Sequence, residues 1–357
     1  MQHVSVTTTA PDAQTPSQAE LEGILPQSLA SVRDSILALI PPKSTDLAQA
    51  ASYALSGGGK LVRPSMGLLI GAMLGRSSDA RVIEAAAVAE IIHVATLLHD
   101  DVIDEAATRR GRPALRIVRD NRSAILTGDY LLAQASLKLA KIGVVPVIAI
   151  FSQVLADLCD GEMLQDALQY DLKATTWAAY TQKTYGKTAS LFGAVCESVA
   201  ILCEVPAAAC QSLRRFGEQI GLAFQVIDDW LDVTQDAQTL GKPAQDDLRH
   251  GLVTAPVILA LEGLLTSDAA NVLQQKIEAV FKTSGRLGPD AVTAEQLLEI
   301  QTLLEACGAI EATQVKAKAQ IAIAKESLAS LPAGLIQSQA AFNQLLALAD
   351  SVVARKA

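Results

Sequence analysis

Ile91-Ile92-His93-Val94-Ala95-Thr96-Leu97-Leu98-His99-Asp100-Asp101-Val102-Ile103-Asp104 is the stretch on which the reading of this chain turns. Its apolar residues recur at three- and four-residue spacing, so Val82 to Glu105 reads as one helix, and Asp100 and Asp104, four apart, share a face. The same Asp-Asp-x-x-Asp spacing returns in Asp228-Asp229-Trp230-Leu231-Asp232, behind the apolar run Leu222 to Ile227, on a helix read from Phe216 to about Val233. Burying these carboxylates without counter-charge costs several kcal/mol per ion, so positive charge must sit between them. Aspartates without neighbouring Cys or paired His favour a hard cation. A few carboxylates with open positions suit Mg²⁺ shared with substrate phosphates better than a closed Ca²⁺ cage.

Outward from these segments, helical periodicity alternates from Ile24 onward with short breakers such as Pro41-Pro42, Ser56-Gly57-Gly58-Gly59, Gly143, Pro206 and Gly241-Lys242-Pro243. No stretch shows period-two alternation with hairpin turns. The pattern predicts an all-α protein with no sheet: a single large bundle of about ten to thirteen helices around a central cavity. Hydrophobic residues are 50% of the chain but aromatics only 4%, a composition that packs helices closely on Ala, Leu, Ile and Val. Residues 1–22, rich in Thr, Pro, Gln and Ser, read as a disordered tail before one folded domain over 23–357. Ser267 to Gln301 is weakly patterned and reads as peripheral helices and loops without chemistry.

A net charge of −9 argues against nucleic acid as a partner. Cys159, Cys196, Cys203, Cys210 and Cys307 form no Cys-x-x-Cys and read as reduced core residues, with Cys196, Cys203 and Cys210 on one helix face. No Lys or Arg precedes Arg33, and the uncharged stretch Ser327 to Ala349 is broken by Pro332 and four amides. The expectation is a cytoplasmic protein with no transmembrane segment.

The basic half of the pattern begins at Gly57-Gly58-Gly59-Lys60-Leu61-Val62-Arg63-Pro64, two cations behind a glycine run that can approach phosphate oxygens. Arg109-Arg110-Gly111-Arg112-Pro113 follows the first acidic cluster, and its guanidiniums suit forked phosphate contacts. Lys187-Thr188 and Lys242 come later. With Ile92-His93, Gly161-Glu162-Met163-Leu164-Gln165 and Phe224-Gln225-Val226-Ile227-Asp228, these ordered motifs resemble the trans-isoprenyl diphosphate synthases, the head-to-tail prenyltransferases. The likeness runs from Ile24 to the end of the chain.

That resemblance implies the isoprenoid synthase fold, a homodimer, and a catalytic domain over 23–357. It implies three Mg²⁺ ions, with Asp100, Asp104, Asp228 and Asp232 as metal-binding residues. Asp100, Asp101, Asp104, Lys187, Asp228, Asp229 and Lys242 are the expected catalytic set. Arg109, Lys187, Thr188, Gln225 and Lys242 would hold the allylic diphosphate, farnesyl or geranylgeranyl. Lys60, Arg63, His93 and Arg110 would hold isopentenyl diphosphate. The implied reaction ionises the allylic diphosphate, adds isopentenyl diphosphate and repeats, with peripheral membrane contact when product leaves.

Product length is read beneath Asp100. Family members often stop early through bulky residues four or five before the first Asp; here these are Thr96 and Ala95. The cluster also lacks the two-residue insertion of many short-chain bacterial members. With Ile92 and Val88 completing the wall, a product of about C30 to C50 is expected, and a deeper floor falls on the helix containing Asp129 to Leu139. Gln245 stands where many members have a glycine, and Leu252 follows Gly251 where many have a lysine. Three alternatives compete: a geranylgeranyl or other short-chain synthase, a metal phosphohydrolase built on His99-Asp100, and a non-enzymatic regulatory subunit. The phosphohydrolase leaves the second cluster unexplained, and regulatory subunits generally lose the clusters that this chain keeps.

Overall fold

A computed structural model describes residues 18–41, 45–234 and 245–354, with side chains from residue 25 onward. The helices are α1 (Gln18–Leu37), α2 (Asp46–Leu55), α3 (Val62–Met73), α4 (Ala80–Ile103), α5 (Leu115–Val118), α6 (Asn121–Ile142), α7 (Val145–Leu168) and α8 (Trp177–Thr184). After a π-helical segment at Tyr185–Ala189 come α9 (Ser190–Leu202), α10 (Ala207–Thr234), α11 (Asp246–Arg249), α12 (Ala255–Leu259), α13 (Ser267–Leu287), α14 (Ala294–Ala306), α15 (Ala309–Ala329) and α16 (Gln339–Val353). Thirteen of them have eight residues or more among the described residues, matching the expected all-α bundle. Their starts are chemically marked: the side chains of Thr45, Asp79, Asp120, Thr176, Thr293 and Ser338 accept from backbone N–H groups that have no partner inside the helix.

Two hydrophobic cores organise the bundle. The larger joins α3, α4, α6, α9 and the first half of α10, and α9 packs against both Asp-bearing helices, α4 and α10. A smaller one gathers Tyr180, Ile227, Val257, Leu273, Ile277 and Leu304 around the second half of α10. Residues 267–301 belong to it. The helices expected there are present and more regular than the weak pattern suggested, because Leu273, Ile277, Val280, Phe281 and Ser284 recur on one buried face of α13.

Several expectations need correction. A minimal antiparallel hairpin exists: Thr108–Arg109 pairs with Arg112–Pro113 through Arg110 and Gly111, whose φ values of +53° and +72° give the twist a two-residue hairpin turn requires. Helix α4 stops at Ile103 with Asp104 as its capping residue, and α10 starts at Ala207, since nothing between Pro206 and Phe216 breaks a helix. Helix α1 begins at Gln18, inside the stretch expected to lack order, while residues 1–17 lie outside the described residues. Cys196, Cys203 and Cys210 are buried, yet Pro206 divides them between two helices; Cys159 is exposed.

Candidate active site

The first acidic cluster is built where α4 ends. Asp100 is mostly buried, and desolvation raises its carboxyl to a pKa of about 7; Lys187 opposes that shift, while Glu162 and Asp104 add to it. Burial likewise raises Asp104, again against Lys187. Asp101, 2% exposed, points elsewhere: one of its oxygens accepts from Arg109 Nε at 2.7 Å and pairs with the same guanidinium at 2.6 Å. His99 turns towards α6, with Nε2 3.2 Å from the Ile125 carbonyl oxygen and 3.4 Å from Asp129. A His99-Asp100 metal pair is therefore not formed.

Lys187 and Thr188 lie in the π-helical segment, a widened turn that re-aims side chains along a helix. The segment sits directly on α7, because a Cβ on Gly161 would lie 2.7 Å from the Lys187 backbone nitrogen. Contact this close brings Glu162, a residue absent from the expected set, to 2.5 Å from Lys187 Nζ. Thr188 Oγ1 donates to Gln225 Oε1 at 3.3 Å, and Gln225 Nε2 donates to Asp229 at 3.0 Å. In the second cluster Asp229 and Asp232 are buried, at 1% and 3% exposure, and Asp228 is partly exposed. Asp232 accepts from the Asp247 N–H at 3.3 Å, and its carbonyl accepts from Gln245 N–H at 3.0 Å. Gln245 adopts φ +53°, the left-handed conformation that a glycine takes without strain.

The glycine loop and hairpin meet at Arg110, whose guanidinium donates to the Gly58 carbonyl. Arg63 lies over the Phe192 ring at 4.3 Å; burial lowers its pKa to about 10, while Glu90 and Asp228 favour its charge. Glu90, 5% exposed, is a second residue missed by sequence reading, although a carboxylate within the run Ala85 to Ile92 is itself a signal. Burial, with Arg63, Arg110 and Arg109 nearby, depresses His93 far below the usual imidazole range, so it is neutral. Lys60 is exposed. The two Asp helices, the π segment, the glycine loop and the hairpin thus supply one electrostatically connected site. Lys242 lies outside the described residues.

Ala95, Ile92 and Val88 are fully buried, and Thr96 donates to the His93 carbonyl at 2.9 Å. They do not border the cleft on the other flank of α4, which Val94, Leu97, Leu98, Arg109 and Arg110 help to line. Helix α6, which carries Asp129 to Leu139, packs on α4 with Leu131, Ala135 and Leu139 buried.

Among the described residues no three Asp, Glu, His or Cys side chains converge to close a metal site by themselves. Yet buried carboxylates that the protein's own cations leave under-compensated suit a hard cation, which binds their ionised form and takes its remaining ligands from substrate oxygens. A helical bundle with carboxylates near two helix ends and guanidinium, ammonium and glycine-loop groups around them suits the handling of a diphosphate. Residues 44–292 match the family model described as Polyprenyl synthetase, and the chain belongs to that family. It is 35% identical over 331 residues to a prenyl transferase of Synechocystis sp., covering 92% of this chain and 96% of that one. It is 34% identical to solanesyl diphosphate synthase 2, chloroplastic, of Arabidopsis thaliana, over 87% of this chain and 71% of that one. The solved polyprenyl synthase of Caulobacter crescentus CB15, complexed with calcium and isoprenyl diphosphate, superposes with a TM-score of 0.83 at 30% identity, covering 96% and 99% of the two chains.

The raised carboxyl of Asp100 predicts a pH dependence. Its folded pKa of about 7 lies above the ordinary 3.8, so the folded protein retains a proton that the unfolded chain releases. Stability of the metal-free protein should therefore fall as pH rises from about 4 to 7, with Asp100 contributing on the order of 1–3 kcal/mol. In urea melts across that range, Asp100→Asn should flatten the slope, and so should added Mg²⁺ with pyrophosphate. An identical slope in Asp100→Asn would contradict the assignment.

Proposed function

We propose that this chain is a trans-polyprenyl diphosphate synthase that condenses an allylic diphosphate, farnesyl or geranylgeranyl, with isopentenyl diphosphate repeatedly, to about C30–C50. The observation that carries this reading is Lys187, set on a π turn beside Asp100 and Asp104 and linked through Thr188 and Gln225 to the second cluster. Asp100, Asp104, Asp228 and Asp232 would hold Mg²⁺, taken as three ions. When bound, magnesium supplies Lewis-acid stabilisation of the charge that gathers on departing pyrophosphate.

The chain's own residues do the rest. Arg109, Lys187, Thr188, Gln225 and Lys242 hold the allylic diphosphate. Their charges stabilise the leaving group more than the bound substrate. Lys60, Arg63, His93 and Arg110 hold isopentenyl diphosphate against the allylic carbon, with His93 neutral and able to donate one hydrogen bond. Its double bond attacks as the allylic C–O bond breaks, and loss of a proton regenerates an allylic diphosphate five carbons longer. Apolar side chains around α4 exclude the water that would quench the cation. Small Ala95 and Thr96, with Ile92 and Val88 below, give a growing chain room. The solanesyl product in the Arabidopsis relative's name supports a long chain.

A homodimer belongs to the same reading. Ile117 and Val118 on α5, with Ile125, Leu126 and Leu137 on α6, are exposed and suit burial against a second copy. So do a cytoplasmic home and peripheral membrane contact at product release. Helix α4 is long and apolar enough to cross a membrane, but 67% of its apolar window is buried inside the fold. The name of the Arabidopsis relative marks a chloroplast as the alternative compartment.

Purified protein given Mg²⁺, isopentenyl diphosphate and farnesyl diphosphate should yield a polyprenyl ladder by chromatography; inactivity of the homodimer would favour a regulatory subunit. Asp100→Ala should reduce turnover by about 10³-fold or more with its helical fold intact by circular dichroism. Ala95→Phe should shorten the product, and an unchanged ladder would remove Ala95 from the wall. Sedimentation equilibrium should give twice the chain mass, a monomer ruling out the dimer.

A further inference from the structure

Asp229 is a buried carboxylate of the second cluster with no part in metal binding in the reading above. It accepts from three neutral donors: the Tyr180 hydroxyl at 2.7 Å, Gln225 Nε2 at 3.0 Å and the Ala255 N–H at 3.1 Å. Because Gln225 Oε1 in turn accepts from Thr188, Asp229 decides which way the Gln225 amide and the Thr188 hydroxyl point. Neutral donors alone leave a buried negative charge expensive, and the carboxylate of Asp247 adds a second.

One cation answers both. Lys183, one turn before Lys187 on α8, is the cation near both: burial weakens its charge, and Asp229 and Asp247 favour it. Its ammonium is held 5.0 Å from the centroid of the Tyr180 ring, the same side chain whose hydroxyl reaches Asp229. Tyr180 is 1% exposed, so this end of Lys183 is enclosed by a rigid wall. Leu252 lines the same space: Lys183, Tyr180, Leu252 and Val253 border one small pocket. A lysine at position 252 would therefore open onto the same small space as Lys183.

We propose that Lys183 is a positioning residue of the second acidic cluster: its ammonium, seated on Tyr180, neutralises Asp229 and thereby sets the Gln225–Thr188 relay, a task for which the Gly251–Pro256 stretch offers no cation. Lys183 reaches the reaction only through Asp229. The inference rests on the prenyl-transfer reading, and a wild-type protein that makes no prenyl product would overturn that reading rather than this one.

Four proteins test it: wild type, Lys183→Arg, Lys183→Met, and Lys183→Met combined with Leu252→Lys. Each is measured for kcat, for melting temperature, and for pyrophosphate binding by calorimetry in the presence of Mg²⁺. Lys183→Met should lose about 10- to 100-fold in both kcat and pyrophosphate affinity, the range expected when a group supporting a ligand-holding residue is removed. Lys183→Arg should retain most of both. Leu252→Lys should recover most of the loss, because it returns a charge to the same pocket. With the wild type active, a Lys183→Met protein equal to it in kcat and pyrophosphate affinity overturns the inference. So does a double variant that folds, by melting temperature, yet remains as impaired as Lys183→Met.

Discussion

The rest of this structure depends on one electrostatic constraint: carboxylates at the ends of apolar helices lose water and must find positive charge. Asp100 illustrates the balance. Burial alone drives its carboxyl towards the protonated form, and Lys187 restores only part of the ionised state. Lys187 is itself claimed by Glu162 at 2.5 Å, so the protein's own charges leave the first cluster under-compensated. On the proposed reading, cations arriving with an anionic substrate would complete the site, and that requirement would link metal binding to diphosphate binding.

Meeting the constraint dictates unusual backbone. Lys187 reaches the α4 end only because the chain widens into a π turn and because Gly161 and Gly186 let α7 press against it; a Cβ on Gly186 would lie 2.5 Å from the Asp157 carbonyl oxygen. Similarly, Arg110 joins the hairpin to the glycine loop from a left-handed position. These departures from regular helix cluster around the carboxylates, as expected where geometry is set by chemistry rather than by packing.

Much of this was legible in the sequence. Three- and four-residue apolar spacing announced helices, and the two Asp clusters announced a shared charged site because helical periodicity makes their partners predictable within each motif. What escaped reading was created by long-range contact. Glu162 and Lys187 stand far apart in the chain and meet only through a glycine-mediated helix approach. Lys183 looked like any helical lysine until Tyr180 and Asp229 surrounded it. The hairpin escaped because its strands are two residues each, too short for alternation to show, and its Arg110-Gly111 turn is not the usual Asn-Gly signal. Peripheral helices were expected over 267–301, but their regularity was not, because polar residues around Ser284-Gly285-Arg286 masked the continuity of the apolar face.

The two clusters also divide their labour in the same way, and helix geometry explains it. Residues one apart on a helix point about 100° away from each other, so the second Asp of each motif cannot share the face of the first. In both clusters that second carboxylate turns into the protein and is satisfied there. Asp101 grips Arg109 and so anchors the hairpin, while Asp229 takes Tyr180, Gln225 and the Ala255 N–H. Four residues on, Asp104 returns to the face of Asp100, and Asp232 to that of Asp228. The Asp-Asp-x-x-Asp spacing therefore encodes two functions at once. On the proposed reading its first and fifth positions would offer oxygens to a cation, while its second ties the helix end to the element carrying Arg109 or Gln225. Exchanging the first and second aspartates for other residues should thus produce different defects, one in metal-dependent chemistry and the other in the placement of Arg109 or Gln225.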